Sequence, residues 1–206
     1  MAQSYDLRYQ TNRHAAEDEI IHETAIGDVL GKMILDVGCG TGNSIRLLNV
    51  HRDQYLGYDT SLDMLNKARK KFPNYNFVSS NINITERYDT ILFIFGVASY
   101  LSYRELNYFL TKFSKPNCRA VLMFYSEMYY PEYHERRTTP QGTAREFLRS
   151  ITGWKHNLIA FSPLLPKFLD NAPKSIWKCI LTKQMQLSKT ASQLHYRYDL
   201  IICTKT

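Results

Sequence analysis

A chain of 206 residues is one domain's worth, able to bury roughly 70% of its unfolded surface without a disulfide or metal staple. Apolar residues at 44% and charged residues at 22% exclude core-poor disorder. Fifteen tyrosines stand out, and a formal charge of +7 suits an anionic partner, leaving nucleic acid, lipid headgroup and acidic metabolite open.

In chain order, Glu17, Asp18 and Glu19 sit where a helix N-terminus favours negative charge, and Ile20, Ile21, Ala25, Val29 and Leu30 follow as an amphipathic stripe ended by Gly31. Residues 1–30 are therefore expected to be polar and then helical, an N-terminal lid and helix. Met33 to Val37 is a short apolar strand running into the glycine turn Gly38-Cys39-Gly40-Thr41-Gly42, with a helix from Ser44 to Leu48. The alternation repeats: strand Gln54–Tyr58, helix Ser61–Phe72 with Ser61 as N-cap and Pro73 beyond its end, and strand Tyr75–Ser79. Thr90–Phe95 is a nearly continuous apolar strand, the pattern of a parallel sheet covered on both faces. Helix Tyr103–Phe113 and strand Arg119–Tyr125 complete a series that implies right-handed crossovers and a doubly wound α/β sheet.

Beyond Tyr125 the pattern loosens. Thr143–Ile151 reads as a helix, Trp154–Phe161 as a strand and Gln193–Thr204 as a final strand. Between those strands, residues 162–191 carry Pro163, Pro166 and Pro173, with Lys167, Lys174, Lys178, Lys183 and Lys189 against Asp170. They are expected to form a basic insertion with a helix over about 174–186, its lysines on a solvated face. The whole chain, 1–206, reads as one domain. Its longest apolar run, Ile91–Ala98, is far short of the roughly 20 residues that cross a bilayer. No signal-peptide pattern opens the sequence, and Cys39, Cys118, Cys179 and Cys203 are scattered without a C-x-x-C pair. The expectation is a reduced, cytoplasmic protein with no metal site and no disulfide framework.

The turn after the first strand carries the chemistry. In open α/β sheets, ligands bind at the carboxyl ends of strands where the topology switches, and glycines there let the backbone turn tightly and approach a ligand closely. A dinucleotide fingerprint needs glycine at position 43, where Asn43 stands; a Walker loop needs Gly-Lys-Ser/Thr, whereas Asn43 and Ser44 follow Gly42. What remains is D-x-G-x-G-x-G from Asp36 to Gly42, with Asp59 ending the next strand. A carboxylate at that point can accept from two vicinal ribose hydroxyls, although Asp59 also fits a cap on the following helix. The ligand implied contains a nucleoside and no pyrophosphate.

With Ile34–Gly42, Tyr58-Asp59-Thr60-Ser61 followed by Met64 and Leu65, Val78–Ile82 and Tyr88–Leu101, the sequence resembles the class I S-adenosylmethionine (SAM)-dependent methyltransferases, over about residues 30 to 125. The resemblance implies a Rossmann-like, doubly wound, seven-stranded, mostly parallel sheet with an antiparallel final strand. It implies SAM as methyl donor and S-adenosylhomocysteine (SAH) as product. Asp36 and the backbone of Gly38, Cys39, Gly40 and Gly42 would hold the methionine end, with Cys39 a small filler of the turn and not a nucleophile. Asp59 would take the ribose, and Thr60 and Met64 would lie beside the adenine. Asn81 and Ile82 follow the third strand, where the family usually carries an acid; the Asn81 amide oxygen can accept the same bond, or Asn81 is a turn residue. Phe95 would line the space between cofactor and acceptor, or belong to the core.

No general base is fixed by a motif. His134, among Tyr129, Tyr130 and Tyr133, and His14, near Tyr5 and Tyr9, are the candidates, although an ordinary surface role is the more usual reading of each histidine. Tyr9 is a lid candidate, and Tyr5, Tyr100, Tyr129 and Tyr133 flank the expected site, where amphipathic rings suit a planar or cationic acceptor. The favoured activity is methyl transfer to an oxygen or nitrogen of a small biosynthetic molecule. RNA methylation through the basic surface is the alternative. Against it, Phe95-Gly96-Val97-Ala98 replaces the Asp/Asn-Pro-Pro-Tyr/Phe motif of base amino-group methylation. A non-enzymatic partner or membrane-surface role through residues 162–191 is the third reading.

Overall fold

The computed structural model describes residues 21–22, 29, 31–125, 177–186 and 196–205. Its strands are β1 (Ile34–Val37), β2 (Tyr55–Tyr58), β3 (Asn76–Val78), β4 (Tyr88–Phe93), β5 (Ser114–Tyr125), β6 (Trp177–Gln186) and β7 (Tyr196–Lys205). Helix α1 (Asn43–Leu48) follows β1, α2 (Leu62–Lys71) follows β2, and α3 (Tyr103–Lys112) joins β4 to β5. The strands form one sheet in the order β3-β2-β1-β4-β5-β7-β6. Neighbours from β3 to β5 are parallel, whereas β7 runs antiparallel to both β5 and β6. The expected Rossmann-like, mostly parallel sheet with an antiparallel final strand is present.

Side-chain alternation in the central strands divides the core in two. Ile34, Leu92, Val121 and Met123 point to one face, where Ile45 and Leu48 of α1 and Leu65 and Ala68 of α2 cover them. Leu35, Val37, Ile91, Phe93, Ala120 and Leu122 point to the other, under Leu106, Phe109 and Leu110 of α3. Coverage on both faces is why these strands are continuous apolar runs rather than alternating ones. The helices are capped as their sequences suggest: the Ser61 hydroxyl accepts from Met64 N at 3.4 Å, and Ser102 and Glu105 form a capping box on α3.

Three expectations are corrected. Strand β4 spans Tyr88–Phe93 and not Thr90–Phe95, because Phe95 has φ 56° and Gly96 φ 80°, both outside the extended region. Of the helix expected over about 174–186, the described residues Trp177–Gln186 are strand β6: Trp177-Lys178-Cys179-Ile180-Leu181 has strand character and pairs with β7. Cys39 and Cys118 are free, but Cys203 is disulfide-bonded; the β6–β7 register sets Cys179 opposite it. Of the N-terminal helix only Ile21, His22 and Val29 are described, and Ile21 and Val29 are buried in the first core cluster. The helix at 143–151 and the strand at 154–161 lie outside the described residues. No described helix is long and apolar enough to cross a membrane.

Candidate functional site

Strand order reverses between β1 and β4, so the crevice of an open sheet lies beyond their carboxyl ends. There the chain leaves β1 through a turn in which Gly38, Gly40 and Gly42 have φ 76°, 55° and 78°. The turn is tied to β2, since Gly38 N and Cys39 N both donate to Tyr58 O, at 2.7 and 3.0 Å. It closes with Gly42 N donating to Cys39 O at 2.9 Å. The three glycines have different reasons. A Cβ on Gly38 would lie 2.7 Å from the Val97 methyls, and one on Gly42 3.1 Å from the Phe72 ring. A Cβ on Gly40 would meet nothing within 4 Å, so Gly40 faces open space.

Asp59 frames that space. One of its oxygens accepts from Gly40 N and the other from Ser61 N, both at 2.8 Å. The carboxylate therefore holds the glycine turn and the entry to α2 together, as its capping reading required. Two of its roughly four acceptor positions remain for a ligand. Asp36, at the other side, is 1% exposed and its Oδ2 accepts from the Ser44 hydroxyl and, at 2.7 Å, from the Tyr55 hydroxyl. Ser44 and Tyr55 also meet each other, at 3.0 Å. Burial pushes the Asp36 carboxyl up to about 6, the two hydroxyls counter that, and the Asp59 charge adds to it. Two carboxylates thus bias the turn toward a cationic ligand.

The remaining candidates are arranged around this turn. Thr60 is exposed, whereas Met64 is buried yet belongs to neither core cluster. Asn81 opens a 3-10 turn, Asn81–Asn83, whose Ile82 is 81% exposed, an unusual position for an aliphatic side chain. Phe95 is half-buried against the first core cluster, and Tyr100 ends the 3-10 turn Val97–Tyr100 that brings Val97 over Gly38. Cys39 is buried and its thiol is pushed well up, first by burial and then by Asp36 and Asp59, which fits a filler. Tyr5, Tyr9, His14, Tyr129, Tyr133 and His134 lie outside the described residues. Ser44, Tyr55 and Val97 were not singled out in the sequence. Only the inward alternation of Tyr55 and Gly57 along β2 carried a hint of the first pair. Among the described residues no group of His, Cys, Asp and Glu is arranged to hold a metal.

The strand order, the three-glycine turn and the carboxylate after β2 give the chain a Rossmann-like fold whose ligand crevice opens at the glycine turn. Residues 34–116 match the family model described as "Methyltransferase domain". The trans-aconitate 2-methyltransferase of Rhodopseudomonas palustris (strain BisB18) is 35% identical over 78 residues, which are 37% of this chain and 30% of that protein. The chain thus spans under a third of the length of the curated relatives it matches. The plantazolicin methyltransferase BpumL, solved with a monoazolic desmethylPZN analog and SAH, superposes with TM-score 0.65 and 14% identity over 99% of this chain and 88% of that one. A TehB-like SAM-dependent methyltransferase from Corynebacterium glutamicum gives TM-score 0.60 and 18% identity over 100% of this chain and 98% of that one.

Proposed function

We propose that this chain is a SAM-dependent methyltransferase acting on an oxygen or nitrogen of a small-molecule acceptor. The observation that carries the reading is the open, left-handed Gly40 position, whose N–H is held by Asp59. An added Cβ there would occupy the space offered to the methionine end of the donor. Asp59 is the acceptor for ribose hydroxyls, and exposed Ile82 and Thr60, with Met64, offer the adenine a mixed apolar and polar wall. When bound, SAM supplies a methyl group on a positively charged sulfur. The protein's part is alignment and desolvation, and alignment alone can lower such a barrier by roughly 7–11 kcal/mol. The similar proteins named for trans-aconitate and plantazolicin support a discrete molecule as acceptor. His14 and His134 are the proposed bases, and Tyr5, Tyr9, Tyr100, Tyr129 and Tyr133 the proposed walls and lid.

Calorimetric titration tests the donor site: SAM and SAH bind to the wild-type chain, and Asp59→Ala weakens SAH roughly 10- to 100-fold through loss of two charge-assisted hydrogen bonds. No SAH binding to the wild type would overturn the reading. Mass spectrometry of cell extract incubated with labelled SAM then identifies the acceptor, and an unchanged rate in His134→Ala or His14→Ala removes that histidine from the mechanism.

A further inference from the structure

Three buried oxygens meet where β1 runs into the glycine turn. Asp36 of β1, Ser44 of α1 and Tyr55 of β2 are 1%, 2% and 2% exposed. Both hydroxyls donate to the same carboxylate oxygen, Asp36 Oδ2, Tyr55 at 2.7 Å, and they touch each other at 3.0 Å. Each hydroxyl has a single proton, and with both spent on the carboxylate the pair favours the charged form of Asp36. Burial opposes that form and is the larger influence, which leaves the carboxyl at about 6. Tyr55 remains a donor, because burial first and the Asp36 charge next push its own ionisation well up.

The groups around the trio leave Asp36 as the one that changes charge near neutrality. Asp59 acts on it through its charge, and the Cys39 thiol, which feels both carboxylates, is held protonated by burial. Arg69 of α2 acts on Cys39 and is bonded to Phe77 O at 2.9 Å, while Arg46 of α1 and His22 are exposed. The other neighbours on that face of β1 are apolar: Leu48 of α1, Leu65 and Ala68 of α2, Leu92 of β4, and Ile21 and Val29. We infer that Ser44 and Tyr55 are positioning residues of the donor site: acting through Asp36, their hydroxyls hold a negative charge at the glycine turn at neutral pH, and that charge sets the affinity for the cationic amino group of the donor's methionine end. This rests on the proposed function, in which Asp36 belongs to the methionine end of the site. Below its titration Asp36 is neutral and the ammonium loses an attraction; above it the charge is present. Donor affinity therefore rises with pH and then levels off. Loss of either hydroxyl leaves burial less opposed, so Asp36 keeps its proton to higher pH.

The test is calorimetric titration of the full chain with SAH from about pH 5 to about pH 8. Wild-type affinity rises between about threefold and tenfold, tenfold being roughly the linkage limit for a group that titrates at about 6, and half of the change falls there. In Tyr55→Phe the half-change moves up by about one pH unit, the roughly tenfold in proton affinity that a hydrogen bond to a charged group is worth. The variant is then weaker than the wild type near neutrality and matches it by about pH 8. Ser44→Ala moves the half-change in the same direction and serves if Tyr55→Phe does not fold. Tyr75→Phe is the control: its ring lies 5.9 Å from that of Tyr55, but its hydroxyl donates to Val50 O, so the half-change stays at the wild-type value. A loss of equal size at every pH in Tyr55→Phe makes its role structural and overturns the inference. So does a flat wild-type profile, or a slope of full size in Asp36→Asn. Absence of SAH binding by the wild type at every pH overturns the donor site itself and the inference with it, whereas binding with an unmoved half-change overturns the inference alone.

Discussion

Two neighbouring strands of the sheet, β1 and β4, end in left-handed turns, and the two turns are built by opposite means. After β1 the chain uses Gly38, Gly40 and Gly42, which adopt positive φ without a steric penalty. After β4 it uses Phe95 at φ 56° before Gly96 at φ 80°, so a bulky aromatic sits where side chains rarely go. The β1 turn is shaped by closeness: Val97 above Gly38, Phe72 beside Gly42, and open space only at Gly40. The β4 turn instead carries a ring, half-buried and packed against the first core cluster. The comparison teaches that one turn is designed around backbone approach and the other around a side chain held in strain.

The largest effect expected separates two glycines of the β1 turn. Gly38→Ala combines a left-handed alanine, worth about 1–2 kcal/mol, with a Cβ 2.7 Å from the Val97 methyls, so its cost in urea denaturation is about 3 kcal/mol or more. Gly40→Ala carries only the conformational cost of about 1–2 kcal/mol, since nothing lies within 4 Å. Its signature is instead a loss of SAH affinity of at least tenfold. Gly40→Ala binding SAH as the wild type does would show that the donor is not held over this turn.

Next in size is the pH response of the carboxylate that ends β1. Asp36 titrates at about 6 in the folded chain against 3.8 for the free group, mainly through burial. The folded state therefore holds the proton more tightly than the unfolded state. The stability this confers is full below about pH 4 and is lost as pH rises through about 6. Integrated over that window the effect is about 3 kcal/mol. Asp36→Asn keeps the shape without the charge, so the stability of the wild type relative to the variant falls by about 2–3 kcal/mol from about pH 4 to pH 7. A constant difference across that range would mean that Asp36 is ionised without penalty.

The β1 turn was legible because its requirement is written in residue type: glycine at positions 38, 40 and 42 and acids at 36 and 59 have few other uses in that order. The helices were legible through Ser61 and the stop at Pro73. The partners of Asp36 were not. Tyr55 reaches it across nineteen positions of sequence, and that meeting exists only once β1 and β2 pair in register. Strand β6 was hidden for a related reason: Lys174, Lys178 and Lys183 were read as a solvated helix face, and only the ladder with β7 selects the extended form. The β4 turn was hidden because Ile91–Ala98 is apolar throughout, so nothing in composition marks where the strand stops.

The smallest effect expected decides whether Phe95 belongs to the core or to the crevice. Phe93, two residues earlier, is fully buried, and Phe93→Ala should cost about 3–5 kcal/mol. Phe95→Gly removes a half-buried ring but also removes the left-handed strain of about 1 kcal/mol, and these oppose one another. The net change in unfolding free energy is then within about 1 kcal/mol, while SAH affinity holds within a factor of about three, as read by urea denaturation and calorimetry. Under the proposed function, methyl transfer to the labelled product falls nonetheless, because the ring proposed to bound the acceptor side is gone. A loss of about 3 kcal/mol, close to that of Phe93→Ala, would instead make Phe95 a core residue. The β4 turn would then be strained for packing and not for presentation, and the contrast with the β1 turn would reduce to glycine content.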